Sequence, residues 1–480
     1  MGYFSSEFHL TWLYWGLVIA YAITILSIIG VVLSENRNPL KSLAWVTVLL
    51  MFPIGGIVLY IFFGRSIKNK RMISRRNKRK LRQNHPEIIM PHPAEYAPEL
   101  RQQMELGRSL NDAPLYPAND MSIYHDGATK FEALLNDIAQ AQNYIHLQYY
   151  IFEDDEIGKR VRSALMERAA KGVKVRIIYD HIGSIGVKSK FFKEMHAAGI
   201  ECYPFFRVAF PPFATRINWR NHRKLAIIDG AIGYVGGMNI ADRYIDGGKF
   251  ARWRDTHMRI TGPAVAALQY SFAIDWSFMG QPLIEESIDT TPAADTYRAA
   301  GMQLITSGPT SEWSNVAMLM LKAIGNARKR VYIQTPYFLP TESLLRSLQA
   351  AALSRVDVRV MIPRRSDSLI LTYASYSYIY ECLRAGIKIY LYNGGMLHSK
   401  TMMIDDHFCS IGSANIDFRS FEHNFEATMF IYSAEANANL RHQFMLDLKD
   451  SDRVNASEWR KRPMSQKAKE SIVRLLSPIL

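Results

Sequence analysis

Cysteine is scarce in this chain: Cys202, Cys382 and Cys409 are the only three in 480 residues, and they lie far apart. There is no CxxC pair and no His/Cys spacing of the kind that holds zinc. So few thiols exclude a disulfide scaffold and point to a body in a reducing, cytosol-facing compartment. Charge is sparse too, at 21% of residues against 48% hydrophobic, which excludes a disordered polymer. Acidic residues are missing altogether from 65–82, where ten residues are basic. That segment carries most of a formal net charge of +14; residues 451–480 add +4, residues 1–64 sum to zero and residues 83–450 are neutral. A nucleic-acid-binding body carries its positive charge on the folded surface, so a neutral body argues against that class. The length leaves room for two domains or one large duplicated one.

Charge is absent again from Leu10–Ser34 and from Ser42–Phe63. Each run has the length to cross a hydrocarbon core, which takes about 20 helical residues, although Pro53, Gly55 and Gly56 sit inside the second. The linker ENRNPLK (Glu35–Lys41) joins them, so residues 1–64 are expected to form a two-helix transmembrane hairpin with Trp12, Tyr14, Trp15 and Tyr60 near its ends. A cleaved signal peptide is disfavoured, because there is no basic n-region and a second apolar run follows. The basic segment after the second run marks the cytoplasmic side, where the N-terminus and body are then expected. It also attracts anionic lipid, by about 1 kcal/mol per Lys or Arg near the surface. The tail 451–480 sets Ile472, Val473, Leu475, Leu476, Ile479 and Leu480 among Lys467, Lys469 and Arg474. It reads equally as an interfacial amphipathic helix or as packing on the body.

The body reads as a duplication. YIHLQYYIF (Tyr144–Phe152) and VYIQTPYF (Val331–Phe338) are both buried-strand patterns with a central Gln, Gln148 or Gln334. Each leads into a helical stretch, Gly158–Ala170 or Glu342–Leu353, and then a second strand, Val173–Ile178 or Val356–Ile362. The β-α-β-α-β order favours parallel or mixed sheets flanked by helices. The expected organisation is a basic linker over 65–115, domains over 116–300 and 301–450, and the tail.

Within each half stands the pattern HxKxxxxD: His222, Lys224 and Asp229 in NHRKLAIIDG, and His398, Lys400 and Asp405 in LHSKTMMIDD. Seventeen residues after each His is an Asn, Asn239 or Asn415, preceded by Gly236-Gly237 or Gly412-Ser413. On a strand, side chains i and i+2 share a face, so His and Lys project together. Asp229 and Asp405 fall past the strand, out of register with the His, where they brace the site. Small residues permit close approach of backbone or substrate. One such motif would be an ordinary strand; two at matching places, each with its Asn, point to function.

The paired motifs resemble those of the phospholipase D superfamily. The N-terminal hairpin with its ENRNPLKSLAW linker, QYYIFEDDEIG, TPYFLP and SANIDFRS is similar to the bacterial cardiolipin synthases of that superfamily, over nearly the whole chain. The resemblance implies a duplicated α/β fold with a shared central site, no metal or other cofactor, and a place in the bacterial inner membrane. Its partners would be phosphatidylglycerol and other anionic phospholipids, with no nucleic acid.

Without a metal, a phosphodiester needs a nucleophile, a proton donor for the leaving alkoxide, and positive charge on its oxygens. The resemblance implies His222 as nucleophile, His398 as acid and base, and Lys224, Lys400, Asn239 and Asn415 as phosphate ligands. It places an acidic residue downstream of each motif to fix the imidazole tautomer: Asp255 after His222 and Glu426 after His398. It implies transfer of a phosphatidyl group from one phosphatidylglycerol to another, releasing glycerol. Hydrolysis, phosphatidylserine synthesis and phosphatidylethanolamine as donor stay open on the same residues; a nuclease is disfavoured by the neutral body. Trp253, Trp276, Phe278 and the stretch Phe205–Phe213 read as core before they read as an acyl entrance.

Overall fold

The structure is a computed structural model, and it describes residues 3–34, 39–60, 68, 71–83, 96–208, 218–284, 286, 300–475 and 477. No proline interrupts the first apolar run, and it forms one helix, α1 (Tyr3–Ser34). Thr11–Gly30 within it is long and apolar enough to cross a membrane, with few of its side chains buried. The second run differs from expectation. It breaks at Phe52 into α2 (Pro39–Met51) and α3 (Pro53–Leu59). Pro53 has no N–H to donate and its ring collides with the carbonyl four residues earlier, which kinks a helix. Among the described residues α1 alone therefore has the length of a span. The two runs still pack on each other through Ile25, Leu49 and Tyr60, with Trp45 edge-on to Tyr60 at 5.3 Å between ring centroids. Residues 61–63, Arg65 and Lys70 lie outside the described residues.

The body is built twice. The first half supplies β1 (Tyr116–Tyr124), β2 (Tyr144–Tyr149), β3 (Lys174–Asp180), β4 (Glu201–Phe205), β5 (Arg220–Asn221), β6 (Leu225–Ile228), β7 (Ile232–Gly236), β8 (Trp253–Arg254) and β9 (His257–Thr261). The second supplies β10 (Ala300–Ser307), β11 (Arg330–Gln334), β12 (Asp357–Pro363), β13 (Lys388–Tyr392), β14 (Met396–Leu397), β15 (Thr401–Ile404), β16 (Phe408–Gly412), β17 (Asn424–Tyr432) and β18 (Ser451–Arg453). The strand order β1-β9-β7-β6-β2-β3-β4 recurs as β10-β17-β16-β15-β11-β12-β13, and β1 pairs antiparallel with β10 to join both halves in one 16-stranded sheet.

Within each half only three neighbouring strands are parallel, β2-β3-β4 and β11-β12-β13. The other long strands of each half pair antiparallel, because β6 returns as β7, and β15 as β16, through tight turns where Asp229 and Asp405 take positive φ of 52° and 49°. A turn that short can join only antiparallel strands. Gln148 and Gln334 tie the sheet to a helix in each half: Nε2 donates to Asp275 of helix Val265–Phe278 at 2.5 Å, and to Asp447 of helix Ala434–Asp447 at 2.7 Å. Trp276 is buried in the core, and Phe278 packs against Phe205 and Phe425; residues 209–213 lie outside the described residues. The tail helix Met464–Leu475 packs on helix Leu369–Arg384, with Arg474 bonded to Glu381 at 2.7 Å, while Ile472 and Leu475 stay exposed. Leu476, Ile479 and Leu480 lie outside the described residues.

Candidate active site

Two short parallel pairings bring the motifs together. β5 pairs with β17 and β14 pairs with β8, each across the halves. Their registers set Asn221 beside Phe425 and Leu397 beside Arg254, so the next residues along, His222 and His398, lie beside Glu426 and Asp255. The backbone clamps this: His222 N donates to Phe425 O at 2.9 Å, and His398 N to Arg254 O at 2.7 Å.

The carboxylates are exchanged between the halves. His222 Nδ1 lies 2.9 Å from Glu426 Oε1, and His398 Nδ1 lies 2.6 Å from Asp255 Oδ2. The assignment of each acid to the His upstream of it is thereby corrected. Cross-half pairing of β5 with β17 and of β14 with β8 decides the partner, and chain distance does not. Gly237 and Ser413 occupy matching places beside these acids. Gly237 packs so close to the Asp255 carboxylate that no Cβ would fit, whereas Ser413 Oγ donates to Glu426.

Lys224 Nζ donates to His222 O at 2.6 Å; Lys400 Nζ donates to His398 O and lies 2.8 Å from His398 Nδ1. Asn239 Oδ1 accepts from Ile151 N at 3.1 Å and its amide donates to Tyr244 Oη at 2.7 Å. The Asn415 amide donates to Asp417 at 3.0 Å. His222, His398, Asn239 and Asn415 line one cavity of about 660 Å³.

Asp229 and Asp405, the last residues of the two HxKxxxxD motifs, do not line this cavity and take no part in the chemistry. Four strand residues separate each from its Lys, and five steps along a strand span roughly 16 Å. Asp229 accepts from the backbone N–H of Gln142, Asn143 and Tyr144 at 2.7–2.8 Å. Asp405 accepts from those of Arg328, Lys329 and Arg330 at 2.7–3.0 Å. Each thus secures the start of its half's first parallel strand.

Burial pushes both imidazoles down to about 4, against the opposing pull of their carboxylates, so both histidines are neutral. Burial alone would raise the carboxyls, but Lys400 and His398 hold Asp255 below its ordinary value, and His222 and Lys224 do the same for Glu426. Burial also lowers both lysines, Lys400 to about 8 and Lys224 well below its usual value. A neutral His that donates Nδ1–H to a carboxylate leaves Nε2 as a lone pair, which is the form a nucleophile or base needs.

The cavity wall adds residues that motif reading missed. Tyr150 stands edge-on to His222 at 4.9 Å, and Trp253 lies 5.5 Å from His398. Arg220, Arg243 and Arg419 line it too. Arg243 and Arg419 each fall four residues after the motif Asn, in NIADR and NIDFR, so the repeat carried their signal. Arg220 pairs with the buried Asp180 at 3.2 Å and has no counterpart in the second half.

Comparison with known proteins gives a consistent result. The family described as "Cardiolipin synthase, PLD-like domain" matches residues 134–276 and 320–448, and "Phospholipase_D-nuclease N-terminal" matches 19–65. The chain is 40% identical to the major cardiolipin synthase of Bacillus subtilis over 96% of this chain and 98% of that one. It is 39% identical to a cardiolipin synthase of Listeria monocytogenes over 96% and 100% of the two chains. Among solved structures, phosphatidylserine synthase of Haemophilus influenzae shares the fold, with a TM-score of 0.61 at 12% identity, covering 79% of this chain and all of that one.

Proposed function

The chain belongs to the cardiolipin synthases with phospholipase D-like domains and makes cardiolipin, and from that premise we propose how its residues carry out the transfer. A phosphatidylglycerol enters the cavity with its phosphate between the imidazoles. His222 Nε2 attacks phosphorus, the bond to the glycerol head group breaks, and His398 protonates the departing oxygen. A free His398 is neutral, but the entering phosphate anion favours its protonated form. The hydroxyl of a second phosphatidylglycerol then gives its proton to His398 and attacks phosphorus, and the phosphorus–nitrogen bond breaks. Glu426 and Asp255 keep Nδ1 of each ring protonated. Lys224 and Lys400 turn from the backbone oxygens they now hold to the non-bridging oxygens, with Asn239 and Asn415. The observation that carries this reading is the pair of neutral, carboxylate-backed histidines on one cavity wall.

The chain is membrane-associated. A multi-pass anchor, with α1 and the kinked α2–α3 as a hairpin and the body over 116–300 and 301–450 as two domains on the cytoplasmic side, is supported by the exposed apolar surface of α1 and by the basic segment that follows α3. A body held at the bilayer favours transfer over hydrolysis, because the acceptor lipid is locally concentrated. The test is to incubate purified full-length protein with phosphatidylglycerol as the sole lipid. Cardiolipin and free glycerol in equal amounts are expected; phosphatidic acid without either would refute the transfer.

A further inference from the structure

Three loops meet at the cavity mouth, and each shows aliphatic side chains to solvent that the proposed chemistry does not use. The loop after β3 carries Ile185, 69% exposed. It is held to the site because Gly183 packs on the Tyr150 carbonyl with no room for a Cβ, and Ser184 Oγ accepts from Phe152 N at 3.1 Å. Residues 243–250 carry Ile245, 42% exposed, between the lining residues Tyr244 and Lys249. The loop after β12 leads into the first turn of helix Leu369–Arg384, where Leu369 and Ile370 are 59% and 51% exposed, next to the lining residues Asp367 and Leu371. Lys249 Nζ donates to Asp367 O at 3.0 Å and joins the second loop to the third. Exposed cations are interleaved: Lys188, Lys249 and Arg365.

The first and third loops follow corresponding strands, β3 and β12, so the duplication itself builds an aliphatic rim on both sides of the site. Aliphatic side chains among cations, ringing a cavity, fit an anionic lipid surface. A soluble protein seated there would cap the cavity.

We propose that this rim docks into an anionic bilayer, with Ile185, Ile245, Leu369 and Ile370 at the acyl boundary, Lys188, Lys249 and Arg365 on lipid phosphates, and the cavity opening directly onto its substrates. The inference rests on the lipid chemistry proposed above. The test uses full-length protein in nanodiscs. Cys202, Cys382 and Cys409 are buried, so an environment-sensitive fluorophore can be placed selectively at Ile370→Cys. Lipids brominated on the acyl chain should quench it in discs containing phosphatidylglycerol. The kinetic arm compares wild type with Leu369→Ser/Ile370→Ser on bilayer phosphatidylglycerol and on its soluble dihexanoyl form. About a tenfold loss is expected on the bilayer and none on the soluble lipid. Equal loss on both lipids, no loss on either, or an unquenched label would overturn the docking. A label shielded only as protein concentration rises would assign the rim to a second copy, and would overturn it too. If wild type made no cardiolipin from bilayer phosphatidylglycerol, the reaction scheme would fall, and quenching would still decide the docking.

Discussion

The two halves of the body share a backbone plan but differ in the side chains that flank their histidines. Two residues before His222 stands Arg220; two before His398 stands Met396, fully buried. Two residues before Glu426 stands Asn424; two before Asp255 stands Trp253. The lobe around His222 is therefore cationic and polar, and that around His398 aromatic and apolar. Even the buried arginine behind each site comes from a different segment: Arg223 lies between β5 and β6, and Arg254 in β8. Arg223, inside the first motif, bonds Asp275 at 2.6 Å, whereas the second motif has Ser399 there and Arg254, beside Asp255, takes the pairing with Asp447 at 3.0 Å. The carboxylate-backed His is retained in both halves, while the surroundings have diverged. That is the arrangement a reaction with one donor and one acceptor needs, because the two histidines must play different parts.

Replacing either histidine is the severest test of that division. His222→Ala and His398→Ala should each lower cardiolipin formation by roughly 10⁴-fold or more. Trapping with lipid labelled on phosphorus should distinguish them: label bound to protein in His398→Ala, and none in His222→Ala. The reverse pattern would exchange the roles of the lobes.

The carboxylates come next. Glu426→Gln and Asp255→Asn should each cost on the order of 10²–10⁴-fold, by losing the tautomer that exposes Nε2. Their pH profiles sharpen the cross-half assignment. Both imidazoles sit near 4 in the free protein, and the scheme needs His222 neutral and His398 protonated, so kcat/KM should rise as pH falls from 7 toward 5 and turn over near 4. Each carboxylate raises the pKa of its own His, so Glu426→Gln should move the acid limb lower, whereas Asp255→Asn should lower the pH at which His398 takes up its proton.

Arg220→Met makes the first lobe imitate the second. It leaves Asp180 buried without its cation, and a loss of about 3 kcal/mol is expected by urea unfolding. Met396→Leu, at the equivalent place, should cost less than about 1.5 kcal/mol. Equal losses would mean that the lobes are alike after all. The smallest effects belong to the braces. Asp229→Ala or Asp405→Ala should lower stability by about 1–2 kcal/mol and leave KM unchanged, as two equivalent positions remote from the cavity.

Much of this was legible along the chain. Covalent geometry makes the side chains of a strand alternate, so HxK placed His and Lys on one face of each half wherever the strands went. The Asn at +17, the Arg at +21 and the small residue beside the acid repeat in both halves for the same local reason. The segregation of charge into 65–82 and 451–480 likewise needs no fold to be seen.

Other features were decided only when the sheet assembled. No local pattern says which strand will lie beside β5 or β14, and that pairing exchanges Asp255 and Glu426 between the histidines. Which backbone amides Asp229 and Asp405 brace, those that open β2 and β11, is set by the same assembly. The characters of the two lobes and the rim at the cavity mouth emerge only where segments distant in sequence converge. Periodicity along one strand is a covalent property that the sequence contains; the neighbour across the sheet is chosen by the packing of the whole body.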